Sequence, residues 1–578
     1  VNTLRAEAEH PRPWVNHYPP GIAWDAAIDT TPVHQQFFAA AARAGDKPAL
    51  DFLGKTTSYA SLARSVTAMA GALQQKLGVK KGSRVALLLP NTPFYVIAYY
   101  AVLSIGGTVV NCNPLYSTSE LSHITGNAGA DILITLDLKQ VFDKAEALVM
   151  AGHVKTLVVA HFPEALPMVK SILYRVARAK DLADLPASRV SGNIIGWSGL
   201  LALNAKPTPV VIDAACDVAV QQYTGGTTGS PKGAMLSHAN IASNMSQIDK
   251  WGLDLFYEPS KVVAVLPFFH IFAMTVCMNV PLCNGIEVVM LPRFELKAFL
   301  ELLARKRPNI LPAVPTLLHA IATKTSDPSA LSSLTVAVSG GAPLSNETRA
   351  AFQKVSPCLL AEGYGLTEAS PVVCCAALQV PSKPLSIGQP LPGTDVRFVD
   401  IDSGNVVGVN QRGELQVKGP QVMLGYFGNE SADHDAFIDG WLRTGDVGYV
   451  DEDGYVFLVD RIKDLIISSG FNVYPRTIEE ALMTHKAVDE VNVIGVPDEY
   501  RGEAPVAFVK LVEGQQASAE ELRKYLVDRV SKLEMPKDII FKDQLPKTLI
   551  GKLSKKELRE EYQQRKAGKA DGDSVEQA

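Results

Sequence analysis

The residues best suited to chemistry lie in one run, Tyr223-Thr224-Gly225-Gly226-Thr227-Thr228-Gly229-Ser230-Pro231-Lys232-Gly233. Gly225, Gly226 and Gly229 let the backbone approach a polyphosphate closely, Thr224, Thr227 and Thr228 offer hydroxyl donors, and Lys232 offers a positive charge. The order is not that of a Walker loop, because Pro231 stands where that pattern needs glycine before lysine. An apolar stretch, 218–220, precedes the run, so a strand is expected to deliver it.

This loop resembles the phosphate-binding motif of the adenylate-forming enzymes: acyl- and aryl-CoA synthetases, luciferases and peptide-synthetase adenylation domains. The Thr-Gly-Gly-Thr-Thr-Gly form is most similar to bacterial long-chain fatty acyl-CoA synthetases. Further motifs follow in family order along nearly the whole chain. Leu266-Pro267-Phe268-Phe269-His270-Ile271-Phe272 resembles the segment lining the acid site, where His270 would border the carboxylate and gate access. Gly340, Gly341, Ala342 and Pro343 resemble the adenine-side turn. In Glu362-Gly363-Tyr364-Gly365-Leu366-Thr367-Glu368 the resemblance implies stacking of Tyr364 on adenine beside Gly363 and Gly365. It further implies a Thr367 hydroxyl on the α-phosphate and Mg²⁺ on Glu368, with Thr227 as a second metal contact. Asp446, in Trp441-Leu442-Arg443-Thr444-Gly445-Asp446, would accept the ribose hydroxyls. Arg461 would touch the ribose, and Lys463 falls where the family's C-terminal domain pivots. Lys552 ends Pro546-Lys547-Thr548-Leu549-Ile550-Gly551-Lys552, which resembles the catalytic-lysine loop. Gly470, in Ser468-Ser469-Gly470-Phe471-Asn472, would face the thiol tunnel in the second step.

The implied reaction joins a carboxylic acid to ATP as an acyl-adenylate and then to coenzyme A, with Mg²⁺ as cofactor. A carboxylate is a poor acyl donor, and attack on the α-phosphate creates a good leaving group, AMP. Donors and cations fixed around the phosphates supply the catalysis, and no protein nucleophile is required. The apolar residues around His270 suit a fatty acid. Some long-chain members carry a gating Trp just beyond this His, and Ile271-Phe272-Ala273-Met274 contains none. Rival readings are an aryl-acid ligase, a ligase loading a carrier protein, and a nucleotide-binding protein without catalysis.

The elements that position these residues can be read from pattern. Strand-like runs at 85–89, 108–110, 132–135 and 156–159 alternate with helical ones at 58–77 and 94–105, which implies parallel sheets covered on both faces. Ser117 and Glu120 form a capping box. The fold class expected is α/β and α+β: a large N-terminal domain of parallel-rich sheets with a β-barrel-like subdomain, over 1–462, and a small mobile α+β domain, over 463–564. Strands at 492–496, 506–512 and 539–541 and a helix at 518–533 belong to the latter, and 565–578 reads as a disordered tail.

The chain has 578 residues, 55 basic and 60 acidic, and a net charge of -5. That balance offers no general basic field for nucleic acid. Its seven cysteines form no Cys-x-x-Cys pair, which fits a reducing, cytoplasmic setting. The N-terminus does not read as a signal peptide. Residues 91–119 carry no charge, but Gly106-Gly107 divides them into a buried helix and a buried strand rather than a membrane span. At 161–190, Val169, Ile172, Leu173 and Val176 share one helical face beside Lys170, Arg175 and Arg178. The stripe can pack on the body, or it can rest peripherally on the inner membrane surface. The sequence leaves homodimerisation open.

Overall fold

The computed structural model describes residues 12–224, 231–381, 383–469, 471–547 and 553–573, with side chains as far as Arg565. Two large sheets dominate. One has nine strands, and its inner members Leu359–Gly365, Val336–Ser339, Ile310–Ala313, Lys261–Ala264, Glu287–Met290 and Pro48–Phe52 run parallel. The other has eight strands, parallel from Val218–Thr224 through Thr108–Asn111, Arg84–Leu87, Ile132–Leu136 and Thr156–Ala160 to Ile194–Gly196. Strands buried on both faces are mostly apolar, and Thr108–Asn111, Glu287–Met290 and Ile310–Ala313 are buried at every position, their polar ends Thr108, Asn111 and Glu287 being paired with Val218, Gln222 and Lys306.

The uncharged stretch resolves into the helix Pro93–Ser104 and the strand Thr108–Asn111, joined at Gly106, whose φ is +74°. Its aromatic hydroxyls are paired inside the core. Tyr95 donates to Asn111, and Tyr99 and Tyr100 both bond Asn279. Among the described residues no helix is long and apolar enough to cross a membrane. The expected 58–77 helix is Tyr59–Leu77, capped by Ser58, and the Ser117 capping box forms as read.

A five-stranded antiparallel sheet, built on Asp395–Val399, Gly413–Lys418 and Trp441–Val450, takes the place expected for the barrel-like subdomain. A fourth sheet draws only on residues 466–541. Its strands Val488–Asp498 and Gly502–Leu511 form a long hairpin backed by the helix Pro475–Met483. Two features depart from the sequence reading, and a third bears on the alternatives it left open. The 518–533 helix is shorter, Ala519–Leu526, and Val527 lies exposed beyond its end. The last helix, Lys555–Asp573, continues through residues expected to be a disordered tail. It contains no proline, and Arg565 pairs with Glu561 at 3.0 Å one turn away. The helix Met168–Ala177 buries none of its residues, so its apolar stripe does not pack on the body.

Candidate active site

Several described candidates stand at the carboxyl ends of parallel strands, where ligands of open α/β sheets bind: Thr224 ends Val218–Thr224, Gly340 follows Val336–Ser339, and Tyr364 and Gly365 close Leu359–Gly365. The strand Val218–Thr224 turns back antiparallel as Lys232–Ser237, with Thr224 opposite Lys232. The two ends of the glycine-rich loop are thereby held side by side. Gly225, Gly226, Thr227, Thr228, Gly229 and Ser230 lie outside the described residues.

A third strand, Gly425–Tyr426, pairs with the returning one, Tyr426 opposite Ala234. This carries the Tyr426 ring to 5.2 Å from the Lys232 ammonium, a cation–π distance. The Tyr426 hydroxyl donates to Glu368 Oε1 at 2.7 Å. Burial, and then the Glu368 charge, push this phenol above its ordinary value, so it remains a donor. Glu368 sits in the single turn Thr367–Ala369, whose backbone is tied down by the Met423 N–H on the Glu368 carbonyl at 2.8 Å. Sequence reading missed Tyr426. Nothing in its local sequence marks it, and only the strand pairing brings it between the phosphate hairpin and Glu368.

Four residues before Glu368, Tyr364 ends the strand Leu359–Gly365, and its hydroxyl donates to Asp446 Oδ2 at 2.6 Å. Burial and the Asp446 charge raise this phenol well above its usual value too. Arg461 stands opposite Asp446 in strand register and donates from Nε to Oδ1 at 2.9 Å. The Asp446 charge raises the guanidinium in turn. Asp446 is 6% exposed, so both carboxylate oxygens are oriented before any ligand arrives. Lys463 follows in the turn Ile462–Asp464. It is drawn below an ordinary lysine by desolvation first and by neighbouring Arg461 second.

The turn of Gly340, Gly341, Ala342 and Pro343 joins the strand Val336–Ser339 to the helix Asn346–Val355. A Cβ on Gly340 would come within 3.0 Å of the Phe272 ring, so this glycine lets the 266–272 segment close on the 340–343 turn. At Gly365 a Cβ would fall 2.1 Å from the Pro371 carbonyl oxygen, and no side chain fits there. Gly363 lies on the strand Leu359–Gly365, its carbonyl oxygen 3.5 Å from where a Gly340 Cβ would stand. His270 Nδ1 accepts from the Phe272 N–H at 3.4 Å, and a π-helical turn, Ala273–Asn279, follows directly. Such turns are rare and concentrate at functional sites.

A buried chain of bonds ties the 266–272 segment to the hairpin of Val218–Thr224 and Lys232–Ser237. Tyr95 donates to Asn111 at 2.7 Å, Asn111 to Gln222 at 2.8 Å, and Gln222 to the Phe269 carbonyl at 3.0 Å. Burial of so many polar groups is tolerable only because each finds a partner. Of two cavities, one of about 660 Å³ is lined by Arg501 and Met535, and one of about 230 Å³ is lined by Arg84 and Phe427 and by Gln221 and Met235 of the hairpin; neither is lined by a described candidate site residue.

Lys552 lies outside the described residues, as do Thr548, Leu549, Ile550 and Gly551. Its loop is closed by the bridge of Lys547 to Leu553, and Lys547 pairs with Glu490 at 2.6 Å. Gly470 also lies outside the described residues; in the chain it falls between Ile466–Ser468 and Phe471–Val473, which pair antiparallel. Arg559 of the last helix pairs with Asp464 at 3.1 Å, so the C-terminal sheet and helix grip the segment that follows Arg461.

Among the described residues no three acidic, His or Cys side chains cluster as a metal cage. Magnesium does not need one. It commonly binds through one or two carboxylates plus substrate phosphates and water. Glu368, with one oxygen steadied by Tyr426 and the Lys232 hairpin beside it, fits that habit.

The AMP-binding enzyme family matches residues 37–427, and the AMP-binding enzyme C-terminal domain matches residues 477–552. A long-chain-fatty-acid–CoA ligase of Bacillus subtilis is 38% identical over 95% of this chain and 98% of its own. A 4-coumarate–CoA ligase of Oryza sativa is 31% identical over 93% of each chain. Among solved structures, ATP-bound MatB from Rhodopseudomonas palustris aligns with a TM-score of 0.79 at 28% identity, covering 92% of this chain and 99% of that one. The o-succinylbenzoate–CoA synthetase of Bacillus subtilis, in complex with ATP and magnesium, aligns with a TM-score of 0.73 at 26% identity, covering 90% and 98%.

Proposed function

The chain belongs to the AMP-binding enzyme family, and we propose that it is a long-chain fatty acid–CoA ligase working in two half-reactions. In the first, a fatty carboxylate oxygen attacks the α-phosphorus of ATP. The bond to the bridging oxygen breaks, and pyrophosphate leaves, giving acyl-AMP. In the second, the thiol sulfur of coenzyme A attacks the acyl carbonyl, the thiol loses its proton, and AMP leaves. The observation that carries this reading is the joining of Lys232, Tyr426 and Glu368 to Tyr364, Asp446 and Arg461 along one strand end. It offers neighbouring places for a phosphate chain and a ribose.

The roles proposed here join that geometry to the family resemblance. Lys232, with Thr224, Thr227 and Thr228 of its loop, holds the phosphates. Asp446 accepts the ribose hydroxyls with the lone pairs left free by Tyr364 and Arg461, and the Tyr364 ring and the 340–343 turn flank the base. Thr367 donates to the α-phosphate, and Glu368 and Thr227 hold Mg²⁺, which when bound neutralises phosphate charge. His270 borders the carboxylate. Lys552 brings a second cation to the α-phosphate. Residues 463–564 act as a mobile unit that turns near Lys463 between the half-reactions, presenting Gly470 and its neighbours to the thiol. A fatty acid is itself a membrane component, so a peripheral position on the membrane surface belongs to the same reading.

The test is kcat/KM for saturated acids of increasing length, with coenzyme A as acceptor, beside coumarate and benzoate. Each methylene buried in an apolar site adds about 0.8 kcal/mol, about fourfold, until the site is full. A rise with length and then a plateau is expected. A flat series with a strong aromatic preference would refute the substrate.

A further inference from the structure

We infer that the helix Met168–Ala177 is a docking element that lays its apolar face into an anionic lipid bilayer. The inference deepens the membrane-side part of the function proposed above and rests on it.

The observation is the direction in which the helix faces. Met168, Val169, Ile172, Leu173 and Val176 fall on one side, at i, i+1, i+4, i+5 and i+8, and are 58–78% exposed. The opposite side, Ser171 and Tyr174, is the half-buried one. Tyr174 packs edge-on against Phe162, which meets Phe52. An amphipathic helix attached by the hydrophobic effect alone would turn its stripe inward. Here the attachment is aromatic and polar, and it points the stripe away from the body. The Lys170 ammonium donates to the Leu53 carbonyl at 2.8 Å, and the Lys55 ammonium donates to the Glu164 carbonyl.

Both ends of the excursion are clamped by one buried residue. Asp137 accepts the Phe162 N–H at 2.9 Å through a carboxylate oxygen and pairs with His161 through the other. Its carbonyl accepts the Ala183 N–H at 2.7 Å. The base is therefore fixed while five neighbouring aliphatic side chains stand in water. Contiguous apolar surface of that kind marks an interaction site.

Charge selects the occupant. Lys170, Arg175, Arg178 and Lys180 belong to the helix or its C-terminal flank, and the nearby Asp181 is engaged with Arg178 at 3.5 Å. Two copies meeting stripe to stripe would bring these cations together, which is unfavourable. Anionic headgroups meet them favourably, with the aliphatic side chains reaching the acyl boundary.

The test is flotation of the full chain with phosphatidylcholine vesicles and with vesicles that also contain phosphatidylglycerol. The variants are Val169→Ser/Ile172→Ser/Leu173→Ser/Val176→Ser and Arg175→Glu/Lys180→Glu. The wild type should float with the anionic vesicles and much less with the neutral ones. The serine variant should partition at least ~tenfold more weakly, and the glutamate variant should lose the anionic preference. Both should form acyl-CoA from soluble octanoate without vesicles as fast as the wild type, since every changed side chain is exposed. Loss of that activity in the wild type would refute the ligase reading while leaving vesicle binding to be judged separately. The docking inference is overturned by absence of wild-type binding to anionic vesicles or by undiminished binding of the serine variant. It is equally overturned by a wild-type dimer that the serines dissolve while vesicles have no effect.

Discussion

Asp446→Asn should weaken ATP binding about three-hundredfold while leaving the fold intact. The magnitude follows from counting lone pairs. A carboxylate offers about four acceptor positions. In the free protein Tyr364 takes one on Oδ2 and the Arg461 Nε takes one on Oδ1. Two remain for the two ribose hydroxyls, and both bonds are charge-assisted. An amide of the same shape has a single acceptor oxygen, which the guanidinium of Arg461 will claim, and its NH₂ group turns to the Tyr364 oxygen. The ribose then loses one acceptor outright and keeps at best a neutral one. Charge-assisted bonds contribute roughly 1.5–3 kcal/mol and neutral ones roughly 0.5–1.5, so exchanging two of the former for one of the latter removes about 3.5 kcal/mol, or a factor of about three hundred in affinity. The assay is calorimetric titration with ATP and, in parallel, with pyrophosphate, which has no ribose. Thermal unfolding of the variant checks that the Arg461 contact has not been lost wholesale. Unchanged ATP affinity in a folded variant would refute the assignment, and so would an equal loss for pyrophosphate.

Tyr426→Phe removes the hydroxyl that steadies Glu368 but keeps the ring over Lys232. Adenylation should slow about fivefold, for a bond of ~1 kcal/mol, and should need more Mg²⁺ for half-maximal rate. An unaltered Mg²⁺ requirement would show that Tyr426 does not position Glu368. A second expectation concerns acid stability. His34 and His238 are buried edge to face, 5.6 Å between ring centres, and burial lowers their values from 6.5 to about 4 and about 3, the latter helped by its neighbour. The unfolded chain binds these protons below about pH 6.5 and the folded one does not. Stability is therefore fully present above that pH and is lost as pH falls toward about 4, by up to ~1.4 kcal/mol per pH unit for each ring. Urea unfolding between pH 7 and 5 should show that slope reduced in His238→Leu, and an unreduced slope would refute the pair's role.

What the sequence determined alone was the local chemistry and its order. Glycines, hydroxyls and a lysine in 224–232 point to a polyanion by their types and spacing, whereas the carboxylates at 446 and 368 take their expected ribose and metal roles only from the family resemblance, each being an ordinary turn residue by itself. Alternating apolar runs likewise dictated parallel sheets, and the break at Gly106-Gly107 ruled out a span. The periodicity of 168–176 showed a stripe, but periodicity carries no sign. The same spacing serves a helix facing its core and one facing away. Only the tertiary contacts of Tyr174 and Lys170 decided the outcome. Tyr426 could not be picked out for a similar reason. Its neighbours Glu368 and Lys232 are 58 and 194 positions away in the chain, and they meet only when three strands of different origin are in register. The buried links from Tyr95 through Asn111 and Gln222 to the Phe269 carbonyl are likewise products of packing. Each residue is an ordinary polar side chain in an apolar run until the sheet closes around it and withholds water, and each must then bond to the next.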